Sequence, residues 1–135
     1  MALLNWQSDF TVNVCEIDKQ HQKLVEMINN LHDGMKAGKG KEVLGDILAN
    51  LVKYTEFHFK YEEKLFEQYV YPETLAHKRQ HSDLVSQVQN YKKSFESGES
   101  VLSMEIMSFL KVWLMDHIVG SDKKYSTFFN SRGVN

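Results

Sequence analysis

One stripe of side chains, read at helical spacing through the middle of the chain, constrains everything else. It runs Leu44, Leu48, Leu51, Thr55, His58, Glu62, Leu65 and Tyr69, in alternating steps of 4 and 3. On a helix of about 3.6 residues per turn these positions share one face, the face a helix turns toward a core. Two members of the stripe, His58 and Glu62, can carry charge, and one helical turn points them the same way. A carboxylate in a dry core is costly unless it is paired or bound to a cation.

Three further segments show the same period. A helix over about 18–36 carries His21, Leu24, Ile28, Leu31 and Met35, with Asp18 placed to cap its start. Gly38 and Gly40 mark a short turn before the helix over about 41–69 that carries the opening stripe. Pro72 and Glu73 suit the first turn of a helix over about 72–96, on the stripe His77, His81, Leu84, Val88, Tyr91 and Phe95, closed near Gly98. A fourth helix over about 101–119 follows Leu102, Ile106, Phe109, Trp113 and His117, with a short helical segment at about 121–129 beyond Gly120. Residues 1–16, with Trp6, Phe10, Val12 and Val14, read as an extended arm lying on the body.

Four amphipathic helices with short connections imply antiparallel neighbours. The expectation is an all-α, up-down-up-down four-helix bundle spanning 1–135 as one domain. A length of 135 residues can bury a core without disulfides, and Cys15, the lone cysteine, excludes an internal one. A net charge of −2 provides no electrostatic case for nucleic acid or an acidic membrane surface. No apolar run approaches the roughly 18 residues of a membrane span, and the N-terminus lacks a secretory pattern. A cytoplasmic protein, monomeric by preference, is the resulting expectation.

The inward stripes together collect His21, His58, Glu62, His77, His81 and His117, with Asp122 just past the last. Taken singly, each pair is an ordinary occurrence. His117 and Asp122 fit least well, because five residues turn through about 140° on an ideal helix. Asp122 faces inward only if the helix ends or loosens near Gly120. Taken together, five histidines and two acids inside one small bundle require positive charge among them. Seven groups exceed the needs of one metal, so two metals sharing bridging carboxylates is the economical arrangement, and imidazole with carboxylate suits iron, zinc or manganese. His32 is off this pattern and reads as partly exposed. Glu63 faces about 100° away from Glu62 and reads as solvated. Lys78 and Arg79 read as surface, and Tyr125 as a residue packing or hydrogen-bonding near the site.

The run Asp18-x-x-His21-Gln22, His58-x-x-x-Glu62, His77-x-x-x-His81 and His117-x-x-x-x-Asp122 resembles the hemerythrin family, in its bacterial single-domain form, over essentially the whole chain. The resemblance implies a non-heme di-iron centre. His77, His81 and His117 would hold one iron, and His21 and His58 the other, which keeps an open position. Glu62, Asp122 and an oxo or hydroxo group would bridge the two. It further implies reversible dioxygen binding for storage, delivery or buffering, with small anions as other ligands of the open iron and no enzymatic turnover. Leu24, Phe59, Trp113, Leu114 and Ile118 would line the oxygen pocket. An oxygen-sensing module, a di-iron peroxidase or oxidase, and an iron-handling or zinc-bound structural bundle are the competing readings.

Overall fold

The computed structural model describes residues 3–98 and 104–135; Leu102 and the expected start of the fourth helix lie outside them. Among the described residues the chain is helical, without strands: α1 (Cys15–Lys36), α2 (Lys41–Tyr69), α3 (Thr74–Ser97), α4 (Met104–Asp116) and α5 (Lys123–Asn130). A π-helical turn over His117–Asp122 joins α4 to α5 without a break. The short connections fold α1, α2 and α3 back on one another, and α4 returns against α1, giving the four-helix bundle. No helix among the described residues is long and apolar enough to cross a membrane.

The arm holds one turn of 3-10 helix, Ser8–Phe10, and buries Leu4, Phe10, Val12 and Val14. It also explains two departures from the sequence reading. The first helix begins at Cys15, three residues before Asp18, so Asp18 does not cap it. Instead its carboxylate accepts from the Val12 N–H at 2.8 Å and the Thr11 hydroxyl at 2.5 Å, fastening the arm to α1. The arm is held again where the Leu4 N–H donates to Asn29 Oδ1 at 3.0 Å and Asn29 Nδ2 donates to the Leu4 carbonyl at 2.7 Å. Asn29 shares a side of α1 with Val25 and His32. His32 is therefore buried, at 4% exposure, and not partly exposed.

The buried faces of α1, α2 and α3 follow the stripes. That of α4 sits one residue further on. Met107, Leu110 and Leu114 are buried, whereas Ile106, Phe109 and Trp113 are half-buried at its flank. Two successive steps of four, from Phe109 to Trp113 to His117, drift about 80° off a helical face. The 3-and-4 alternation through Leu110 and Leu114 to His117 does not. The third helix starts at Thr74, leaving Pro72 in the preceding turn.

Helices α1 and α3 close near glycines in the left-handed region, Gly38 and Gly98. Helix α2 closes on a valine there: Val70 has φ 55° and ψ 54°, and Tyr71 N–H donates to the Phe66 carbonyl at 2.9 Å. A β-branched residue in this conformation is strained by about 1–2 kcal/mol, and Val70, 80% exposed, recovers little by burial. Val70→Gly is expected to stabilise the fold by about 1 kcal/mol, raising the melting temperature by about 3–5 °C. A thermal melt showing a lower temperature would contradict this account of the α2 end.

Candidate metal centre

Four elements deliver the seven side chains to one place in the bundle. α1 supplies His21, α2 supplies His58 and Glu62 one turn apart, α3 supplies His77 and His81 one turn apart, and the π turn supplies His117 and Asp122 at its two ends. None is more than 5% exposed. The five-residue interval that would spread His117 and Asp122 on an α-helix is one turn of a π-helix, whose hydrogen bonds run i to i+5. The helix thus widens and does not end. Beyond it Asp122, Tyr125 and Phe129 resume α spacing on the buried face. Gly120 is not sterically required: a Cβ there would meet nothing within 4 Å.

The ligand-type atoms form two groups that share both carboxylates: Glu62, His77, His81, His117 and Asp122, and His21, His58, Glu62 and Asp122. Within each group they lie within 4.8 Å of one another. Asp122 faces both groups with different oxygens. Oδ1 is 2.9 Å from His77 Nε2 and 3.0 Å from His117 Nε2, and Oδ2 is 3.0 Å from His21 Nε2. Glu62 Oε1 lies 3.2 Å from His58 Nε2 and 3.3 Å from His81 Nε2. The Tyr125 hydroxyl donates to its Oε2.

Several of these close contacts are not hydrogen bonds. His21 Nδ1 and Nε2, Glu62 Oε1 and both Asp122 oxygens are buried without an aligned partner. His117 Nε2 stands 3.1 Å from His77 Nε2 and 3.2 Å from His81 Nε2. Imidazole nitrogens about 2.1 Å from one ion, at right angles, stand about 3 Å apart. Unpartnered lone pairs converging at that separation fit metal ions better than they fit protons.

The two carboxylates draw positive charge to this place: burial lowers His117, but Asp122 and then Glu62 outweigh it and raise the ring. Burial alone would raise Asp122, but the imidazoles of His117, His21 and His77 outweigh it and hold the carboxyl well below the usual range. Burial and the Asp122 charge press Glu62 upward, and His58 and His81 overcome them, so it too is lowered. His58 is pushed down by burial against the pull of Glu62, which favours the neutral ring a metal requires. Tyr125 is raised well above its ordinary range by burial and then by the two carboxylates, so its hydroxyl keeps its proton and donates.

Three rings are held from behind through Nδ1. His58 meets Gln20 Oε1 at 2.7 Å, His117 meets Gln80 Oε1 at 2.9 Å, and His81 meets Glu63 Oε2 at 2.9 Å. An N–H given to an acceptor on that edge leaves the Nε2 lone pair facing inward. Glu63 is thus engaged with His81 and is not simply solvated. Neither glutamine stands out in the sequence reading. Their signal was adjacency: Gln20 precedes His21 and Gln80 precedes His81, each reaching across to a histidine of another segment.

Residues 13–129 match the family model described as the hemerythrin HHE cation binding domain. The chain belongs to the hemerythrin family. It is 38% identical over 126 residues to a bacteriohemerythrin of Stenotrophomonas maltophilia (strain R551-3), covering 93% of this chain and 81% of that protein. To a bacteriohemerythrin of Pseudomonas aeruginosa (strain LESB58) it is 39% identical over 125 residues, covering 93% and 80%. The crystal structure of a wild-type hemerythrin superposes with a TM-score of 0.87 at 34% identity, covering 93% of this chain and 97% of that one.

Against the cluster lies a narrow cavity of about 30 Å³, roughly the room of one or two water-sized molecules. Its polar wall is His21, Thr55, His58, His117 and Asp122, and Leu24, Phe59, Trp113 and Leu114 form part of its apolar wall, continued by Leu110 and Val88. Ile118 is buried but is not on the cavity wall. Phe59 stacks on His81 with ring centroids 3.7 Å apart, and Trp113 stacks on His117 at 4.4 Å. The cavity wall therefore also braces two of the imidazoles.

Proposed function

We propose that this protein binds dioxygen reversibly at a pair of iron ions, for storage, delivery or buffering. His77, His81 and His117 would hold one ion, His21 and His58 the other, and Glu62 and Asp122 both. The observation that carries the reading is the inequality of the two groups. They share two carboxylates, but one has three histidines and the other two, and both members of the poorer pair, His21 and His58, line the apolar cavity. Of the richer group's three histidines His117 alone reaches that cavity, so a small ligand entering it meets both histidines of the poorer group and one of the other.

Bound there, a pair of ferrous ions supplies the two electrons with which dioxygen is taken up and given back. The chain's own part is to confine the exchange. Leu24, Phe59, Leu114 and Trp113 keep water from the polar wall, which limits stray proton delivery and irreversible oxidation. The Tyr125 hydroxyl holds one oxygen of Glu62, fixing how that carboxylate is presented. Gln20 and Gln80 fix two rings in the tautomer that turns Nε2 inward. The Thr55 hydroxyl, also on the cavity wall, is turned back on its own helix, donating to the Leu51 carbonyl at 2.7 Å.

The test is oxygen cycling of the ferrous-reconstituted protein. A visible charge-transfer band is expected in air, lost on deoxygenation and recovered over repeated cycles. A single irreversible bleaching would overturn the proposal. Steady peroxide turnover above the rate of free iron, abolished by His58→Ala, would replace it with the enzymatic reading.

A further inference from the structure

The three partners behind the imidazoles are not equivalent. Gln20 and Gln80 are neutral amides, whereas Glu63 is a carboxylate. Its side chain is 27% exposed while that of His81 is 2% exposed, so the pair joins a buried ring to a wetted charge. Glu63 and His81 both line a surface groove of about 360 Å³ between α2 and α3, alongside Lys60 and Lys78. Lys78 is not a competing direct partner at this oxygen: its ammonium pairs with Glu67 at 2.5 Å. The other surface groove at the cluster, about 400 Å³, is lined by Asp116 as well as His117 and Gln80, but the ring's Nδ1 meets the Gln80 amide oxygen.

A carboxylate accepting the Nδ1–H of an imidazole pushes electron density toward Nε2 and makes the ring a stronger donor than an amide does. Of the three histidines of the richer group, His81 alone among the described residues has a carboxylate within reach of its Nδ1. The polarisation therefore falls on one side of the pair, the side away from the cavity-lining His21 and His58.

We propose that Glu63 is a positioning residue that sets the redox balance of the metal pair, favouring the oxidised form at the His77–His81–His117 position through its hydrogen bond to His81. This rests on the di-iron reading above. Replacing the charge while keeping an acceptor, as in Glu63→Gln, should move the reduced-to-oxidised ratio toward the reduced form by about tenfold, about 59 mV in a one-electron couple. Autoxidation should slow in the same direction. Placing a carboxylate behind the neighbouring ring, Gln80→Glu, should shift the ratio the opposite way. The double variant E63Q/Q80E should return near the wild-type value, because the charge has moved from one ligand of the ion to another.

The experiment is spectroelectrochemical titration of the iron-loaded full chain, with iron counted per chain for each variant and Glu67→Gln as a control for a nearby exposed charge. A potential raised in E63Q, lowered in Q80E, restored in the double variant and unmoved in E67Q supports the proposal. Two irons bound in E63Q with an unmoved potential overturns it, as does an equal shift in E67Q. Should E63Q lose iron, Q80E decides: an unmoved potential there overturns the mechanism. A wild-type protein that takes up no iron removes the metal reading itself, a result separate from any of these.

Discussion

Removing the metal is expected to lower the melting temperature of the protein by about 10 °C or more. The reason lies in the unpartnered atoms at the bundle centre. Five polar atoms of His21, Glu62 and Asp122 are buried with no aligned hydrogen bond, among the nitrogens of four further histidines, His58, His77, His81 and His117. Each buried polar group left unsatisfied costs about 1–3 kcal/mol, and more where it is charged. Protons on some of the imidazoles relieve part of this in the metal-free state, by pairing with Glu62 and Asp122. They cannot satisfy two carboxylates and five rings at once, since a proton shared between two nitrogens is lost to an oxygen. A residual penalty of at least about 3 kcal/mol corresponds to roughly 9–15 °C for a chain of this length. Differential scanning calorimetry before and after chelation and dialysis, with elemental analysis of both samples, is the measurement. Equal melting temperatures in a protein shown to be metal-loaded and then metal-free would mean that the cluster is satisfied without cations.

The second large effect is expected from Asp122→Ala. This carboxylate is the one whose two oxygens face different groups, Oδ1 toward His77 and His117 and Oδ2 toward His21. Deleting it removes a donor from both positions together. Retention of two irons per chain should fail, with iron content falling to one or none and the oxygen-dependent band disappearing. The size of the stability change in the loaded and metal-free states separates a ligand role from a packing role. In the loaded protein the substitution should be severely destabilising. In the metal-free protein it should be destabilising but milder, because the imidazoles that hold Asp122 well below the usual range are then its only partners. A substitution equally harmful in both states would assign Asp122 to the architecture and not to the metals.

The residues that hold these predictions were unevenly visible. His58 and Glu62, or His77 and His81, announce themselves because one helical turn is a fixed geometric relation. Tyr125 was suspected near the site and proves to donate to Glu62, a contact 63 positions apart in the chain. The role of Glu63 is not legible from its direction relative to Glu62 alone. A side chain 100° off the inward stripe of one helix can still meet the neighbouring helix, and His81 comes from there. Gln20 and Gln80 were missed for the same reason, each serving a histidine delivered by another segment. The α4 stripe was set one residue off by two successive steps of four, which periodicity tolerates over a short segment and packing does not.

What the sequence determined by itself was which residues belong together. Period and burial cost are local properties, and six ionisable groups on inward stripes, with Asp122 just past the last, point both to the bundle and to a place able to hold cations, whatever the loops do. Only the tertiary structure decided how those groups face one another: the π turn that brings Asp122 under His117, the division of its two oxygens, the mostly apolar cavity beside His21 and His58, and the unequal partners behind the rings. These depend on the separation and rotation of helices distant in the chain, and no spacing along a single helix encodes a distance to another.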